Sequence, residues 1–207
     1  MKKLFKIFLY ILIILYLLLN CIRENIEEKT QYIIFFEQYA QAISPFADKN
    51  QISATILLID DIIEKEGNKN ILIIHYYKAQ LYYKNKQYDE ALEVLFQADD
   101  EVYNAYIATL LLRLGRYTEA DYFLTNAISN NVIALKDINI TNNSKNEIIK
   151  GLMILYILNG ESYDNMMHKL SYDDIISIEK ADELFQETFF NQNIENIKEI
   201  LLDSMWP

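Results

Sequence analysis

Apolar positions recur with a helical spacing over most of the chain. In residues 29–43 and 51–65 they lie three and four positions apart, which places them on one face of a helix. Pro45 separates the two stretches, and a Gly-Asn pair closes the second. The pattern therefore predicts a pair of antiparallel helices between residues 28 and 70.

Two later stretches share one layout. Residues 71–98 and 101–127 each contain a helical apolar pattern, a polar break, a Tyr-x-Glu-Ala quartet and a second helical pattern. The quartets begin at Tyr88 and Tyr117. Residues 71–130 are therefore predicted to form two consecutive helical hairpins.

These two copies resemble the tetratricopeptide repeat (TPR). The matching residues are Ala79, Tyr82, Tyr88, Ala91, Leu95 and Ala98 in the first copy, and Ile107, Ala108, Leu111, Gly115, Tyr117, Ala120, Leu124 and Ala127 in the second. Ala91 and Ala120 are 29 residues apart instead of the 34 of the family, which we interpret as a shortened second helix in the first copy. The resemblance implies an all-α fold, a TPR-like solenoid of antiparallel helical hairpins.

The spacing of small residues has a packing reason. Ala79, Ala91, Ala108 and Ala120 are expected where two helices cross closely. Tyr88 and Tyr117 are expected to fill the wedge between helices. Gly115 is expected to end a helix within a short turn, because glycine adopts the left-handed conformation without strain.

Residues 144–207 are predicted to be a degenerate third repeat followed by capping helices. A helix over 147–159 breaks at Asn159-Gly160, and a second helix covers 163–170. Residues 130–144 are the best loop candidate before this repeat. Ser171 is predicted to cap a helix over 172–190, and a last helix is predicted over 193–204.

The first twenty residues are typical of a targeting segment. Three lysines precede an unbroken apolar run, Ile7–Leu19, which is short for a bilayer span and fits a signal peptide. The run ends in Leu18-Leu-Asn-Cys21, which resembles a bacterial lipobox and implies that Cys21 carries lipid. The alternative is an uncleaved membrane anchor, also within residues 1–20 and ending at Cys21. Both place the remaining chain outside the cytoplasm.

The composition of the chain argues against several classes of function. With 30 acidic and 19 basic residues the net charge is -11, which disfavours binding to nucleic acid. One cysteine excludes an intrachain disulfide and multi-cysteine zinc sites. We find no catalytic, metal-binding or cofactor-binding motif, and we expect the two histidines, His75 and His168, to pack at the core or its rim. The protein is therefore expected not to be an enzyme and to need no cofactor.

The TPR resemblance implies a concave groove lined by the first helix of each hairpin. Carrying over the family's groove positions gives Ile73, Tyr76, Tyr77, Gln80, Tyr83, Lys84, Val102, Ala105, Tyr106, Thr109, Leu112 and Arg113. The tyrosines would supply flat contact area, and Lys84 and Arg113 would bind a carboxylate. The alternative is that these tyrosines pack against a neighbouring helix or against residues 172–204.

The resemblances together imply a membrane-tethered scaffold in a bacterial cell envelope, facing the periplasm or the exterior. Its partner would be a protein or peptide bound in the groove, within an outer-membrane assembly or transport complex. Two alternatives remain open: a lipoprotein that holds a small hydrophobic ligand between its repeats, and a structural spacer. A filled groove would favour the spacer.

Overall fold

The described residues fold into α-helices joined by short turns, with one 3-10 turn and no strand among them. In this computed structural model they are residues 31–66, 71–136, 141–172, 176–189, 198, 200–202 and 206. Within these ranges no helix is both long and apolar enough to cross a membrane. The apolar run Ile7–Leu19 and Cys21 lie outside the described residues.

Residues 31–65 are the described part of a first compact unit. Helix α1 covers 31–42, and helix α2 is Lys49–Glu66. Asp48 and Gln51 form a reciprocal cap at the start of α2: each side chain accepts a 2.9 Å hydrogen bond from the other's backbone N–H. Gln31 donates to Asp61 at 2.9 Å and so links the two helices. This is the helix pair that the apolar pattern predicts, with α2 starting two residues early.

Residues 66–207 form a second unit built from neighbouring helix pairs. Helix α3 packs on α4, α5 on α6, α6 on α7, and α7 and α8 on α9. The helices are α3 (Ile71–Lys84), α4 (Tyr88–Ala98), α5 (Asn104–Arg113), α6 (Tyr117–Ala134), α7 (Asn142–Leu158), α8 (Tyr163–Tyr172) and α9 (Ile178–Phe189), with a 3-10 turn at Glu101–Tyr103 before α5. Residues 198 and 200–202 are also helical. The all-α fold with paired helices is therefore present.

The first helix of each hairpin ends in the same way. Lys86, Gly115 and Gly160 have φ values of 60°, 72° and 83°. After each helix two backbone N–H groups turn back to the last carbonyls; Gly115 N bonds to Leu112 O at 3.1 Å and Arg116 N to Leu111 O at 2.9 Å. This is the Schellman arrangement, and its recurrence after α3, α5 and α7 makes the three turns structurally equivalent.

A pair of substitutions isolates the cost of this backbone conformation. Gly115→Ala is expected to lower the free energy of unfolding by about 1 kcal/mol, because a Cβ there meets no atom within 4 Å and only the positive φ is penalised. Lys86→Gly, at the equivalent turn, is expected to raise it by about 0.5 kcal/mol. Urea unfolding followed by circular dichroism measures both. The two changes in the free energy of unfolding should have opposite signs; a loss of stability in both variants would contradict this assignment.

The close helix crossings that the alanine positions predict are present. Ala79, Ala91, Ala108 and Ala120 are all fully buried. Helix α4 has 11 residues and α6 has 18, so the shortened second helix of the first hairpin is confirmed. The prediction for Tyr117 is wrong: it starts α6 but is 70% exposed, so it fills no wedge, whereas Tyr88 is half-buried.

Three other predictions also need correction. Helix occupies both ends of the predicted loop 130–144, because α6 continues through Ala134 and α7 already begins at Asn142. Ser171 lies inside α8, and Ser177 caps α9 instead by accepting a 3.3 Å hydrogen bond from Lys180 N. His75 is buried as predicted, but His168 is exposed.

Candidate functional site

Two helices present their polar and aromatic residues to the same place. Tyr76 and Tyr83 are seven residues apart on α3 and so share one face. Tyr106, Thr109 and Arg113 share a face of α5 for the same reason. We call the surface made by these five residues the groove.

The groove contains a side chain of the same chain, Trp206. Its indole stacks on the ring of Tyr83, with centroids 4.7 Å apart and planes 7° apart. It meets the Tyr106 ring edge-on at 5.2 Å, and the Tyr76 ring lies 6.3 Å away. Trp206 is only 5% exposed. These are the offset and edge arrangements that aromatic rings prefer, so three tyrosines surround one indole.

Thr109 fixes the orientation of that indole. Its hydroxyl donates to the carbonyl of Tyr106 at 2.7 Å, one turn back on the same helix. The oxygen then accepts the N–H of Trp206, with Nε1 and Oγ1 2.9 Å apart. Thr109 is fully buried, so without this acceptor the indole N–H would be desolvated and unpaired.

The hydroxyl of Tyr83 links the groove to the backbone of Leu202. This hydroxyl donates to the carbonyl of Leu202 at 3.0 Å and accepts from Arg113 Nε at 3.3 Å. One phenol therefore joins α3, α5 and Leu202, which belongs to a stretch we call the 200–206 segment; its described residues are 200–202 and 206. Arg113 was expected to bind a carboxylate; in this structure its Nε bonds to the phenol.

The other predicted groove residues of α3 lie on or beside the same face of this helix. The rings of Tyr77 and Tyr76 are 6.0 Å apart, and Gln80 is buried between the turns that carry Tyr76 and Tyr83. Lys84 is half-buried at the end of α3, and burial lowers the pKa of its ammonium group. The structure thus gathers Tyr76, Tyr83, Tyr106, Thr109 and Arg113 around Trp206 and leaves Lys84 at the rim.

Two predicted groove residues at matching positions, near the start of the first and of the second TPR-like copy, are exposed. Ile73 of α3 is 56% exposed, and Val102, at the corresponding place before α5, is 65% exposed. Large apolar side chains exposed in two successive repeats are candidate contacts for another molecule. The groove is therefore filled at Trp206 and open beside Ile73 and Val102.

Sequence reasoning missed Trp206. The alternative that the tyrosines pack against residues 172–204 includes Leu202 but stops two residues short of the indole. The available clue was that Trp206 is the single tryptophan of the chain, since a buried indole needs an acceptor for its N–H. Thr109, a threonine among apolar residues on α5, is that acceptor.

A cavity of about 350 Å³ lies beside the groove. Leucines form much of its wall, and Asp121 and Lys198 add charged groups; the lining residues are Leu112, Tyr117, Asp121, Leu124, Leu158, Asn159, Gly160, Lys198 and Leu202. Leu202 lines this cavity and also accepts the hydrogen bond from Tyr83. Its charged groups make it a poor match to the fully hydrophobic ligand of the second alternative.

Tyr103 extends the aromatic row of the groove. Its ring lies parallel to that of Tyr76, with centroids 6.3 Å apart, and its hydroxyl donates to the carbonyl of Leu72. Burial raises the pKa of Tyr103 to about 12, and the charge of Asp100 and the neighbouring Tyr106 add to the increase. The phenol is therefore held neutral well above the pKa of an exposed tyrosine.

This raised pKa predicts alkaline unfolding. The pKa is higher in the folded than in the unfolded chain, so the stabilisation is complete below about pH 10 and is lost as the pH rises to about 12. We expect a loss of roughly 2 kcal/mol from this residue over that interval. Urea unfolding at pH 8 to 12 should show a shallower loss in Tyr103→Phe than in wild type. The exposed Tyr122→Phe is the control, and identical slopes for both variants would contradict the assignment.

Within the described ranges, no three His, Cys, Asp or Glu side chains are grouped so as to hold a metal ion. Comparison with family models, with curated proteins and with solved structures gives no match for this chain. What the groove does is therefore inferred from its own geometry.

Proposed function

We propose that this chain is a membrane-tethered TPR-like scaffold of a bacterial envelope. It binds a protein or peptide partner in the groove and carries out no catalysis. The observation that supports the proposal is that the groove already holds a polypeptide segment, through an aromatic anchor and a main-chain hydrogen bond. Anchors of this kind dominate the binding energy of peptide and protein interfaces. An outer-membrane assembly or transport complex is the setting that the lipobox-like segment favours.

Site-specific photocrosslinking in intact cells tests the groove. A photoreactive residue at Ile73 or Val102 should yield one defined partner adduct, because both side chains are exposed beside the groove. The same residue at Tyr122 or Ile133, exposed on α6, is the matched control. The adduct should disappear when Tyr83→Ala and Tyr106→Ala are added and helicity is unchanged. Equal adducts at all four positions, or none at Ile73 and Val102, would reject the groove as the partner site.

Metabolic labelling with a lipid analogue tests the tether. Wild type should incorporate the label and Cys21→Ser should not, because only a thiol carries the diacylglyceryl group. Fractionation shows whether the Cys21→Ser chain leaves the membrane. Equal labelling of both chains would refute lipidation at Cys21. A wild-type chain that stays in the membrane without incorporating the label would indicate the uncleaved anchor instead.

One observation favours the spacer as a second candidate. The groove is filled by Trp206, and a filled groove needs no partner. A spacer would give no groove-specific adduct in the crosslinking experiment, and substitutions at Trp206 would change stability alone.

A further inference from the structure

The 200–206 segment is anchored at two separate places. Leu201 and Leu202 are buried in the cluster formed with α7, α8 and α9, which includes Leu158 and Leu184. Trp206 is buried in a different cluster, formed by α3 to α6. Leu202 and Trp206, four residues apart in the sequence, are therefore buried in two different clusters of the second unit.

Three contacts of the segment with the groove differ in selectivity: one accepts any residue, one requires a flat ring and one requires an N–H group. The Leu202 carbonyl bonds to the Tyr83 hydroxyl, and any residue could supply that carbonyl. The stacking on Tyr83 requires a flat ring, and the bond to Thr109 requires an N–H at the indole position. Phenylalanine would satisfy the first and not the second, so the site discriminates in favour of tryptophan.

Apart from Trp206, the cluster around the groove consists of residues from α3 to α6 and from the 3-10 turn. Ala79, Leu95, Leu110 and Leu111 are fully buried in the packing of α3, α4, α5 and α6 on one another. Removing the segment would expose the tyrosine rings and the Thr109 hydroxyl and leave these four helices in contact. These contacts give the four helices a packed core of their own when the groove is vacant.

We infer that the 200–206 segment is an intramolecular substitute for the partner. The partner is a separate polypeptide that presents an apolar residue followed, four positions later, by a tryptophan, and it binds by displacing Leu202 and Trp206. This rests on the proposed function of the groove as a peptide-binding surface, and it adds the recognised side chain and a built-in competitor.

The competition between segment and partner can be expressed as the ratio of closed to open molecules. A segment tethered this closely has an effective concentration of roughly 1 mM, so a free peptide affinity of about 10 µM corresponds to roughly 100 closed molecules for each open one. The apparent affinity of the partner is then reduced about 100-fold, because only the open fraction binds. Loss of Trp206 from the groove should remove most of that reduction.

A peptide with the sequence of residues 198–207 is the probe, labelled at its amino end and followed by fluorescence polarisation. Full-length Trp206→Ala should bind it at least tenfold more tightly than wild type does, by the competition above. Adding Thr109→Val should weaken this binding about tenfold, because the indole N–H loses its acceptor. Thr125→Val, exposed on α6, is the matched control and should leave it unchanged. A peptide with alanine in place of tryptophan should not bind.

A second measurement uses the unmodified chain and so does not depend on the folding of a variant. Trp206 is its single tryptophan, buried against Tyr83, and its emission reports on the groove alone. Excess peptide carrying the non-fluorescent analogue 4-fluorotryptophan should shift that emission to the red as the indole enters water. The alanine peptide should leave it unchanged.

The outcomes separate this inference from the proposed function. No emission shift in wild type, together with no peptide binding by folded Trp206→Ala, would overturn the inference even if a partner is crosslinked at Ile73. Peptide exchange without any crosslinked partner would uphold the self-occupied groove and reject the scaffold role. Wild-type dimers that the 198–207 peptide dissociates would assign the site to a second copy and overturn the separate partner.

Discussion

Trp206→Ala is expected to lower the free energy of unfolding by about 2–3 kcal/mol. Truncating a buried tryptophan in a rigid core costs about 3–5 kcal/mol. With the exchangeable segment inferred above, the loss has an upper limit, because the segment leaves the groove when docking becomes unfavourable and no cavity then remains in the folded chain. With roughly 100 closed molecules per open one, docking contributes about 2.7 kcal/mol, and the substitution cannot cost more than that without damaging α3 to α6.

Urea unfolding followed by circular dichroism measures this loss, and Trp206→Phe is the matched variant. Phenylalanine keeps the stacking on Tyr83 but leaves Thr109 without the indole N–H, so it should cost about 1 kcal/mol. A loss of about 4 kcal/mol or more in Trp206→Ala would show that the indole is an integral part of the core. That result would contradict an exchangeable segment.

Ala120→Leu is expected to lower the free energy of unfolding by about 3 kcal/mol. Ala120 is fully buried on α6 in the cluster that contains Leu110 and Leu111, where the absence of a larger side chain allows α6 to lie close to α5. Three additional carbon atoms must either push the helices apart or adopt an unfavourable rotamer. Neither response is local, because α5 also packs on α4.

Ala134→Leu on the same helix is the control. Ala134 is exposed in the last turn of α6, so the added side chain meets solvent and stability should change by less than about 0.5 kcal/mol. Thermal and urea unfolding of both variants give the comparison. Similar small losses in the two would mean that α5 and α6 do not approach as closely as the burial of Ala120 indicates.

Several features of the fold can be predicted from the sequence, because they depend on residues that are close together along the chain. The apolar period of three and four identifies the helices, and the quartets starting at Tyr88 and Tyr117 mark the first residues of α4 and α6. Gly115 predicts a turn because glycine tolerates a positive φ, and its φ in the structure is 72°. The helix boundaries near Ala134 and Ser171 were misjudged because asparagine-rich and serine-containing sequence permits both a cap and a helix interior.

Local sequence accounts for the paired helices, their close crossings at alanine, and the groove residues that α3 and α5 bring to one surface. Each of these depends on a spacing of a few residues, and helix geometry converts such spacings into faces. The position of Trp206 in the groove, in contrast, depends on contacts between distant parts of the chain. The bond from Trp206 to Thr109 joins residues 97 positions apart, and the bond from Tyr83 to Leu202 joins residues 119 positions apart. No local pattern encodes such pairs; they form because a buried indole and a buried hydroxyl must each find a partner once the helices have packed.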